Sequence, residues 1–383
     1  MSANQSSRKN LIILTLVAAL VSLFWLYVSE SAQEFSSDTL SASGNQRVYH
    51  WKMVTSWPKN YPGLGTAPEH FSEAVREMSD GRLNIKVYGA GELVPAMGVF
   101  DAVSLGNAEM GHSAAYYWKG KLAAAPFFTT VPFGMTAQEM NGWLHYGGGM
   151  ELWREAYAPF NLVPLAGGNT GVQMAGWFNK EINSVADLKG LKMRIPGVGG
   201  EVFQRAGGTA VTLPGGELYT SLQTGVIDAT EWVAPYNDMS LGLHEVAKYY
   251  YYPGWHEPGP TLEMTVNKQA YDSLPQDLRR IVEVASRYAN QDMLDEYTAR
   301  NNAALNLLLD KHNIQVKPLP DDVLIALRTA SEEYLQEVIT SDAMAKKVYQ
   351  SWKPFLDNVS NYHRISEQAY INTRDLETPK STQ

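Results

Sequence analysis

Arg194 is the first residue whose type and setting could do chemistry. It lies in the apolar stretch LKMRI, residues 191–195, which predicts a short strand that stops at Pro196 and Gly197. A guanidinium stays charged in any protein environment, so an arginine among apolar neighbours needs a carboxylate or a phosphate beside it. An internal acidic side chain could supply that group. A bound anion could also supply it, helped by the glycine-rich helix start at residues 197–200.

Glu231 raises the complementary question, because it lies in the apolar run at residues 229–233 with Trp232 beside it. Burying a carboxylate is costly unless a cation or hydrogen-bond donors compensate its charge. A lysine or arginine of the same chain could be that cation. The run alone does not decide between such an internal salt bridge and a binding role.

Two further stretches add binding candidates, and enzyme signatures are thin. Asn169 and Gln173 lie in the turn-rich segment GGNTGVQ, where their amides could hold a ligand or could only close a turn. Tyr117 belongs to the aromatic segment SAAYYW, which could be a binding-site wall or part of a core. The sequence has no HExxH or GxSxG pattern, and His112 and His256 are isolated. These features predict a binding protein and not an enzyme.

Length and composition bound the class of protein. The chain has 383 residues and a mass of 42.5 kDa, which is too long for one ordinary core and predicts two domains. Its net charge of −9, with no cluster of lysines and arginines, gives no footprint for nucleic acid. It contains no cysteine, which excludes disulfides, thiolate metal sites and a cysteine nucleophile.

The N-terminal segment predicts export. Arg8 and Lys9 precede an uncharged, mostly apolar run at residues 11–28, which is long for a cleaved signal and close to the lower limit for spanning a bilayer. We expect residues 1–31 to be either a signal peptide cut near Ser31 or Ala32 or an uncleaved inner-membrane anchor. A flexible polar tether should follow at 32–46, and the body of the chain should lie in the periplasm.

The elements that must position the candidate residues alternate between short strands and amphipathic helices. Residues 71–78 carry an apolar helical stripe, and residues 83–87 alternate as a strand does. Repetition of this unit predicts two α/β lobes with mostly parallel sheets, whose ligands bind beyond the carboxyl ends of the strands.

The C-terminal part is predicted to be helical. One helix runs from Pro275 to about Asp310, which is long enough to bridge both lobes or to pack against a second subunit. A second helical block covers residues 321–349.

Several segments together resemble one family over most of the body of the chain. The sequence is similar to the extracytoplasmic solute-binding proteins of tripartite ATP-independent periplasmic (TRAP) transporters, in the branch that binds 2-oxo or 2-hydroxy acids such as pyruvate and lactate. The segments match in order and spacing. They are TSWPKNYPGLGT (55–66), AEMGHSAAYYW (108–118), GGNTGVQMAGWF (167–178), LKMRIPGVGGEVFQRAGG (191–208) and LPGGELYTSLQTGVIDATEWVAPYND (213–238).

The resemblance implies a cation that touches both the protein and its ligand. Its ligands would be Gln173, Glu231 and the main-chain carbonyl of Trp232, with Glu257 of the segment GWHEPG as a further candidate. These are hard oxygen donors, so Na⁺ or Ca²⁺ fits them and zinc or copper does not. A single carboxylate favours Na⁺, whereas a second one from Glu257 would favour Ca²⁺.

The resemblance also implies how the acid is held. Arg194 would fork onto the ligand carboxylate, and Asn169 and Tyr117 would reach the carboxylate or the 2-oxygen. In addition to binding the cation, Gln173, Glu231 and Trp232 would contact the acid. This arrangement requires the ion and the acid to separate Arg194 from Glu231, so that the two side chains do not neutralise each other directly.

The resulting prediction is a two-lobed α/β periplasmic solute-binding fold with a ligand cleft between lobes and a long C-terminal helix. The protein would close on a small monocarboxylate and deliver it to TRAP membrane subunits, without converting it; a dicarboxylate or polyol cargo and a metal-dependent 2-oxo acid enzyme are the alternatives. A homodimer through the long helix is a further expectation. The expected ranges are 47–165 plus 233–267 for lobe I, 166–232 plus 268–375 for lobe II, a disordered tail at 376–383, and crossings between lobes near 163–167 and 232–235.

Overall fold

The computed structural model of the chain describes residues 15, 17–26, 47–374 and 376. The chain divides into two compact units, Met1–Tyr49 and His50–Gln383. In the first unit residues 17–26 are helical. Within the described ranges, no helix has both the length and the apolar character needed to cross a membrane. Most of the expected signal peptide or anchor, the tether and nearly all of the tail lie outside the described residues.

Short strands form two mixed sheets. The strands are β1 (Tyr49–Thr55), β2 (Leu83–Tyr88), β3 (Met110–Ser113), β4 (Leu162–Asn169), β5 (Gly176–Phe178), β6 (Lys192–Arg194), β7 (Thr209–Val211), β8 (Ala229–Thr230), β9 (Tyr249–Tyr252), β10 (Thr261–Asn267) and β11 (Gln315–Pro318). The first sheet has the order β2-β1-β3-β10-β4, and the second has the order β11-β9-β5-β8-β6-β7. β10 runs antiparallel to β3 and β4, and β5 runs antiparallel to β8 and β9. The other strands whose direction the pairings fix run the same way within their sheet, namely β1, β3 and β4 in the first sheet and β6, β7, β8, β9 and β11 in the second. The expectation of mostly parallel sheets is therefore confirmed.

Helices cover the sheets and form the C-terminal part. They are α1 (Ala67–Met78), α2 (Val99–Ser104), α3 (Pro126–Thr129), α4 (Ala137–Tyr146), α5 (Gly149–Tyr157), α6 (Gly197–Arg205), α7 (Leu218–Gln223), α8 (Pro235–Ser240), α9 (Leu243–Val246), α10 (Lys268–Ser273), α11 (Gln276–His312), α12 (Asp321–Ser341), α13 (Ala343–Ile365) and α14 (Glu367–Arg374). α11 confirms the long helix that the sequence predicts.

Local hydrogen bonds explain where the C-terminal helices begin and end. The carboxylate of Asp342 accepts a hydrogen bond from the backbone N–H of Ala345 at 2.7 Å, which caps the start of α13. The helical block predicted at 321–349 is therefore divided into two helices at Asp342. α11 ends at His312, and the next residue, Asn313, adopts the left-handed backbone conformation that asparagine tolerates well.

Within the described residues the chain crosses between the two sheets three times; the third crossing runs through α10 and α11 to β11, and the first two are neighbouring segments. Residues 170–175 lead from β4 to β5, and residues 253–260 lead back from β9 to β10. The second crossing does not lie at 232–235 as expected, because β9 still pairs with β5 and β11 in the second sheet. β9 also falls inside the range 233–267 that was expected to belong to lobe I. The lobe boundaries as a whole stay a prediction.

A central apolar cluster connects the two sheets. Trp57 and Tyr61 follow β1 of the first sheet. Trp177 lies in β5 and Trp232 follows β8 of the second sheet, and Tyr297 comes from α11. α11 itself packs on β4 and α1 and also on α8, so it contacts elements associated with both sheets. This cluster forms one side of the polar site described next.

Candidate functional site

The site begins at the carboxyl ends of two adjacent parallel strands. β6 and β8 pair with Arg194 opposite Thr230, so Glu231 lies one residue beyond the partner of Arg194. The backbone N–H of Glu231 donates to the carbonyl of Arg194 at 3.2 Å. Both side chains are 1% exposed. The two charged side chains therefore lie next to each other at strand ends and are buried there.

Arg194 contacts neighbouring residues of the protein through its guanidinium group. One terminal nitrogen donates directly to the Glu231 carboxylate. The Nε atom donates to the carbonyl of Leu213 at 3.1 Å, and the guanidinium carbon lies 5.2 Å from the ring centre of Trp232. The second terminal nitrogen, Nη2, is buried and has no hydrogen-bond partner. The internal salt bridge that the sequence left open is thus present, and the requirement that Arg194 and Glu231 be held apart is not met in this structure. The physical reason is that β6 and β8 are direct neighbours.

Glu257 adds a second buried carboxylate to the same cluster. It is 3% exposed, and its side chain, Glu231 and His256 each bring a ligand atom within 4.8 Å of the others. Burial, followed by the charge of Glu231, raises the pKa of Glu257 well above its usual range, while Arg194 opposes the rise. One arginine therefore faces two carboxyl groups, and ionising both of them requires one more positive charge than the arginine supplies.

Gln173 comes from the first crossing segment and meets Glu257 of the second. Its backbone N–H donates to the carbonyl of Glu257 at 3.1 Å, and its Nε2 donates to Thr170 Oγ1 at 3.1 Å. The crossings approach so closely that a methyl group on Gly254 would lie 2.1 Å from the Gln173 carbonyl oxygen. The Oε1 atom of Gln173 is buried and accepts no hydrogen bond. An amide oxygen in this condition is an acceptor available for a ligand.

The first sheet contributes the opposite wall. Tyr116 and Tyr117 follow β3, and burial raises the pKa of both hydroxyl groups. The charge of Arg194 opposes the rise at each, which indicates that both hydroxyls lie near the guanidinium. The rings of Trp57 and Trp232 each continue this wall, with the Trp57 ring centre 6.2 Å from Tyr117 and 6.4 Å from Trp232.

Residues 53–342 match the family described as bacterial extracellular solute-binding proteins, family 7. The chain belongs to this family. It is also 45% identical to a monocarboxylate 2-oxoacid-binding periplasmic protein of Nostoc sp. The alignment extends over 338 residues and covers 88% of this chain and 92% of that protein. The resemblance to the TRAP solute-binding proteins is therefore confirmed.

Two solved TRAP periplasmic solute-binding proteins have the same fold. The protein of Colwellia psychrerythraea, with bound calcium and pyruvate, is 44% identical and has a TM-score of 0.83, over 85% of this chain and 100% of that one. The protein of Pseudoalteromonas atlantica, with bound sodium and pyruvate, is 45% identical and has the same TM-score, over 86% and 100%. These matches confirm the two-lobed α/β periplasmic-binding fold.

The candidate site contains two residues that the sequence did not single out. His256 brings its Nε2 within 3.4 Å of a Glu231 oxygen, and its Nδ1 is buried without a partner. The Tyr116 side chain faces Glu257 and lowers its pKa. The only sequence signal for His256 is its position directly before Glu257, and the signal for Tyr116 is its position directly before Tyr117.

Asn169 is placed differently from the other predicted site residues. Its amide nitrogen donates to the Gly259 carbonyl at 3.2 Å and to Thr261 Oγ1 at 3.3 Å, and its oxygen accepts from the Gly171 N–H at 2.9 Å. These bonds favour the turn-closing alternative. A contact between Asn169 and a ligand stays a prediction.

The remaining oxygen donors fit a hard cation. Glu231 and Glu257 offer carboxylate oxygens, and Gln173 offers the unpartnered amide oxygen. Na⁺ and Ca²⁺ prefer such oxygens, whereas the ring nitrogen of His256 is a softer donor that they seldom use. The unpartnered oxygen, and the extra positive charge that ionising both carboxyl groups requires, therefore both agree with a cation held by Gln173, Glu231 and Glu257.

Proposed function

We propose that this chain is the extracytoplasmic solute-binding subunit of a TRAP transporter, and that it binds a small 2-oxo or 2-hydroxy monocarboxylate, such as pyruvate or lactate, together with Na⁺ or Ca²⁺. The observation that carries the proposal is one buried arginine beside two buried carboxylates. Arg194 Nη2 and Gln173 Oε1 lie in the same cluster without partners. A purely structural buried ion pair normally has its remaining hydrogen-bonding atoms satisfied.

Ligand binding requires the Arg194–Glu231 contact to exchange partners. The guanidinium would turn its two terminal nitrogens to the carboxylate of the acid, which matches a planar fork. Glu231 would then join Gln173, Glu257 and the Trp232 carbonyl around the cation. The cation supplies positive charge that removes the repulsion between the acid and these carboxylates.

The walls favour a small monocarboxylate. Trp57, Tyr117 and Trp232 border the cluster with aromatic rings, which suits the short carbon chain of such an acid better than a sugar or a polyol. Arg194 is the arginine that the structure brings to this cluster, and a dicarboxylate would need a second cationic group for its other end. Asn169 and Tyr117 are proposed to contact the acid, the latter through its hydroxyl.

The position of the site at the crossings suggests hinge closure. Gln173 and Glu257 lie in two of the segments that connect the sheets, whereas Tyr117 and Arg194 come from opposite sheets. A ligand that contacts all of them would favour the closed arrangement, and the membrane subunits would recognise that form. The lobes would correspond to the two sheets with their covering helices.

A thermal-shift screen tests this function directly. Short acids of two to six carbons, including pyruvate, lactate and succinate, would be added to the full chain with and without Na⁺ or Ca²⁺, with glycerol as the polyol. We expect stabilisation by pyruvate or lactate that needs one of the cations. Stabilisation by succinate or glycerol alone would support the alternative cargo. Conversion of pyruvate or lactate by the purified protein would support the enzyme alternative.

Export and oligomeric state complete the proposal. We propose that the chain acts in the periplasm, either free after cleavage near Ser31 or Ala32 or held at the inner membrane, and intact-mass measurement of protein from the periplasmic and membrane fractions separates the two. α11 leaves Val284 and Tyr288 more than a third exposed, so it could also support a homodimer. Light scattering of the purified chain tests that state.

A further inference from the structure

Asp238 is a buried carboxylate that the site described above does not use. It lies in α8 and is fully buried. Its oxygens accept three hydrogen bonds, from the Val233 N–H at 3.0 Å, from Trp177 Nε1 at 2.9 Å and from the Tyr250 hydroxyl at 2.7 Å. The three donors are all neutral groups, so when Asp238 is ionised its negative charge has no paired cation. Ionising a carboxyl group in such a place is costly, and a cation nearby reduces that cost.

The hydrogen bond from Val233 controls the neighbouring carbonyl. The N–H of Val233 and the C=O of Trp232 belong to the same peptide unit. This unit is trans, since the cis peptide bond of the described chain is Tyr252-Pro253, and in a trans unit the two groups point in opposite directions. Asp238 therefore fixes the Trp232 carbonyl oxygen on the side of the peptide that faces away from the Asp238 carboxylate.

Other hydrogen bonds hold the same short segment from both ends. The Glu231 N–H donates to the Arg194 carbonyl at 3.2 Å, and the Val233 carbonyl accepts from the Met174 N–H at 2.9 Å. Met174 directly follows Gln173, so the segment is tied to β6 on one side and, on the other, to the crossing that supplies the proposed cation ligand Gln173. With its neighbours fixed, the remaining freedom of the Trp232 peptide is its rotation, which the Asp238 bond removes.

Asp238 also acts through its charge. Hydrogen bonds in series polarise one another, and an anion at the N–H end of a peptide makes the carbonyl oxygen at the other end more negative. Burial raises the pKa of Asp238 to about 7, and the charge of Glu231 adds to the rise. The two carboxylates therefore interact electrostatically, so a cation bound by Glu231 would also interact favourably with Asp238.

We propose that Asp238 is a positioning residue for the cation, which aims and polarises the Trp232 carbonyl by holding the Val233 N–H. This inference rests on the proposed function, in which that carbonyl is a cation ligand. It adds to that function a residue that contacts neither the ion nor the acid. Outer residues of this kind typically change metal affinity while they leave the ligand set intact.

Asp238→Asn tests the inference, because asparagine keeps an oxygen for the Val233 N–H and removes the charge. Calorimetric titration of the full chain with pyruvate, at a series of Ca²⁺ and then Na⁺ concentrations, gives the cation concentration of half-maximal effect and the pyruvate affinity at saturating cation. We expect the half-maximal cation concentration to rise about 10-fold or more, as for other outer-shell partners, with the saturated pyruvate affinity changed by no more than about 2-fold.

Glu263→Gln is the matched control. Glu263 is also a buried carboxylate held by a tryptophan and a tyrosine, since Trp118 Nε1 donates at 2.5 Å and the Tyr157 hydroxyl at 2.7 Å. It lies in β10 of the first sheet, and its oxygens accept hydrogen bonds from these two side chains and not from a backbone N–H of the site. We expect this variant to lose stability while the half-maximal cation concentration stays that of the unmodified chain. An equal shift in both variants, or none in Asp238→Asn, would overturn the inference.

The unmodified chain separates the inference from the function beneath it. If its pyruvate binding is indifferent to both cations, the proposed function is wrong and the inference falls with it. If the binding needs a cation and Asp238→Asn behaves like the unmodified chain, only the inference is wrong.

A spectroscopic measurement covers the case in which Asp238→Asn does not fold. The sequence has ten tryptophans, and only Trp232 is followed by valine, so carbonyl-¹³C tryptophan and ¹⁵N valine labels give a single correlated NMR signal. In the unmodified chain we expect a downfield Val233 proton, bonded to a carboxylate, and a Trp232 carbonyl resonance that moves on addition of Ca²⁺ with pyruvate. A carbonyl resonance that stays unmoved at saturation would overturn the inference.

Discussion

The Arg194 guanidinium donates directly to the Glu231 carboxylate, and neither side chain reaches solvent. The pair resembles a structural salt bridge, but the cluster around it carries a second carboxylate from Glu257 and unpartnered atoms on Arg194 and Gln173. A protein gains little stability from such an incompletely satisfied buried network. The arrangement makes sense if the contact between Arg194 and Glu231 is one of two alternatives, and the other has an acid on the arginine and a cation on the glutamate.

Arg194→Ala should abolish binding of the acid. Each charge-assisted hydrogen bond to the acid contributes about 1.5–3 kcal/mol, so losing two should weaken pyruvate binding by on the order of a hundredfold or more. The variant should also lose roughly 3–5 kcal/mol of unfolding free energy, because Glu231 keeps a buried charge without its partner. Calorimetry well below the unfolding temperature measures the first effect, and urea unfolding measures the second.

Arg205→Ala is the control for Arg194. Arg205 pairs with Glu337 at 2.6 Å, but the pair is open to solvent, with 32% and 66% of the two side chains exposed, so its removal should change stability by less than about 1 kcal/mol. It should leave pyruvate binding unchanged. Pyruvate binding by Arg194→Ala equal to that of Arg205→Ala would contradict the role assigned to Arg194.

Gln173→Met should weaken cation binding more than it destabilises the fold. Methionine has a similar length but lacks the amide oxygen that is proposed to hold the cation, and it also loses the hydrogen bond to Thr170. We expect a stability loss of about 1 kcal/mol and a clear rise in the cation concentration needed for pyruvate binding. Calorimetric titration of pyruvate at graded Ca²⁺ and Na⁺ measures that concentration.

Asn290 in α11 offers a matched control for Gln173. Its amide nitrogen also donates to a single side chain, Asn141 at 2.9 Å, and its buried oxygen is also unpartnered. Asn290→Leu should therefore cost similar stability without a change in cation dependence. If Gln173→Met and Asn290→Leu alter the cation dependence equally, Gln173 is not a cation ligand.

The positions of Arg194 and Glu231 could be predicted from sequence because each stands in an apolar run that reads as a strand. Their direct contact could not be predicted, since it depends on which strands are neighbours in the second sheet. The same limit explains the misplaced second crossing. β9 is the tyrosine-rich run at residues 249–252, and nothing local distinguishes a strand of one sheet from a strand of the other.

The missed residues have a related cause. Tyr116 and Tyr117 lie in a single turn of 3-10 helix, so sequence cannot decide which ring faces the cluster, and in the structure both do. His256 was set aside because it has no partner at metal-ligand spacing along the chain. Its partner is Glu231, 25 residues away in sequence, and the crossing at residues 253–260 brings the two together.

Cation binding should release a proton from Glu257. Burial and the charge of Glu231 raise the pKa of Glu257, so the carboxyl group keeps its proton to higher pH than usual. A bound cation favours the ionised form and lowers this pKa again, so the apparent cation affinity should increase with pH until the raised pKa is passed. The heat of cation binding, measured in PIPES and in Tris at the same neutral pH, should differ by the difference between the ionisation heats of the two buffers for each proton released.

Glu257→Gln provides the control, because glutamine keeps an oxygen donor and has no proton to release. The difference between the two buffers should disappear in this variant, and the preference for Ca²⁺ over Na⁺ should fall since one carboxylate is lost. A buffer difference that persists in Glu257→Gln would assign the proton to another group.

Glu263 should make the protein less stable as the pH rises towards neutrality. Burial raises its pKa from 4.5 to about 7, so the folded state holds a proton that the unfolded state has already lost. The stabilising effect is complete below the unfolded pKa and disappears as the pH increases through the folded pKa. For this fully buried group the loss is roughly 3 kcal/mol at most, and Asp238 adds a separate loss in the same direction.

Urea unfolding of the unmodified chain and of Glu263→Gln at several pH values measures this loss of stability. The free energy of unfolding should decline less steeply in the variant between about pH 4.5 and pH 7. Glu337→Gln, at an exposed glutamate, should follow the unmodified chain, and parallel curves for all three proteins would show that Glu263 stays ionised in the folded state.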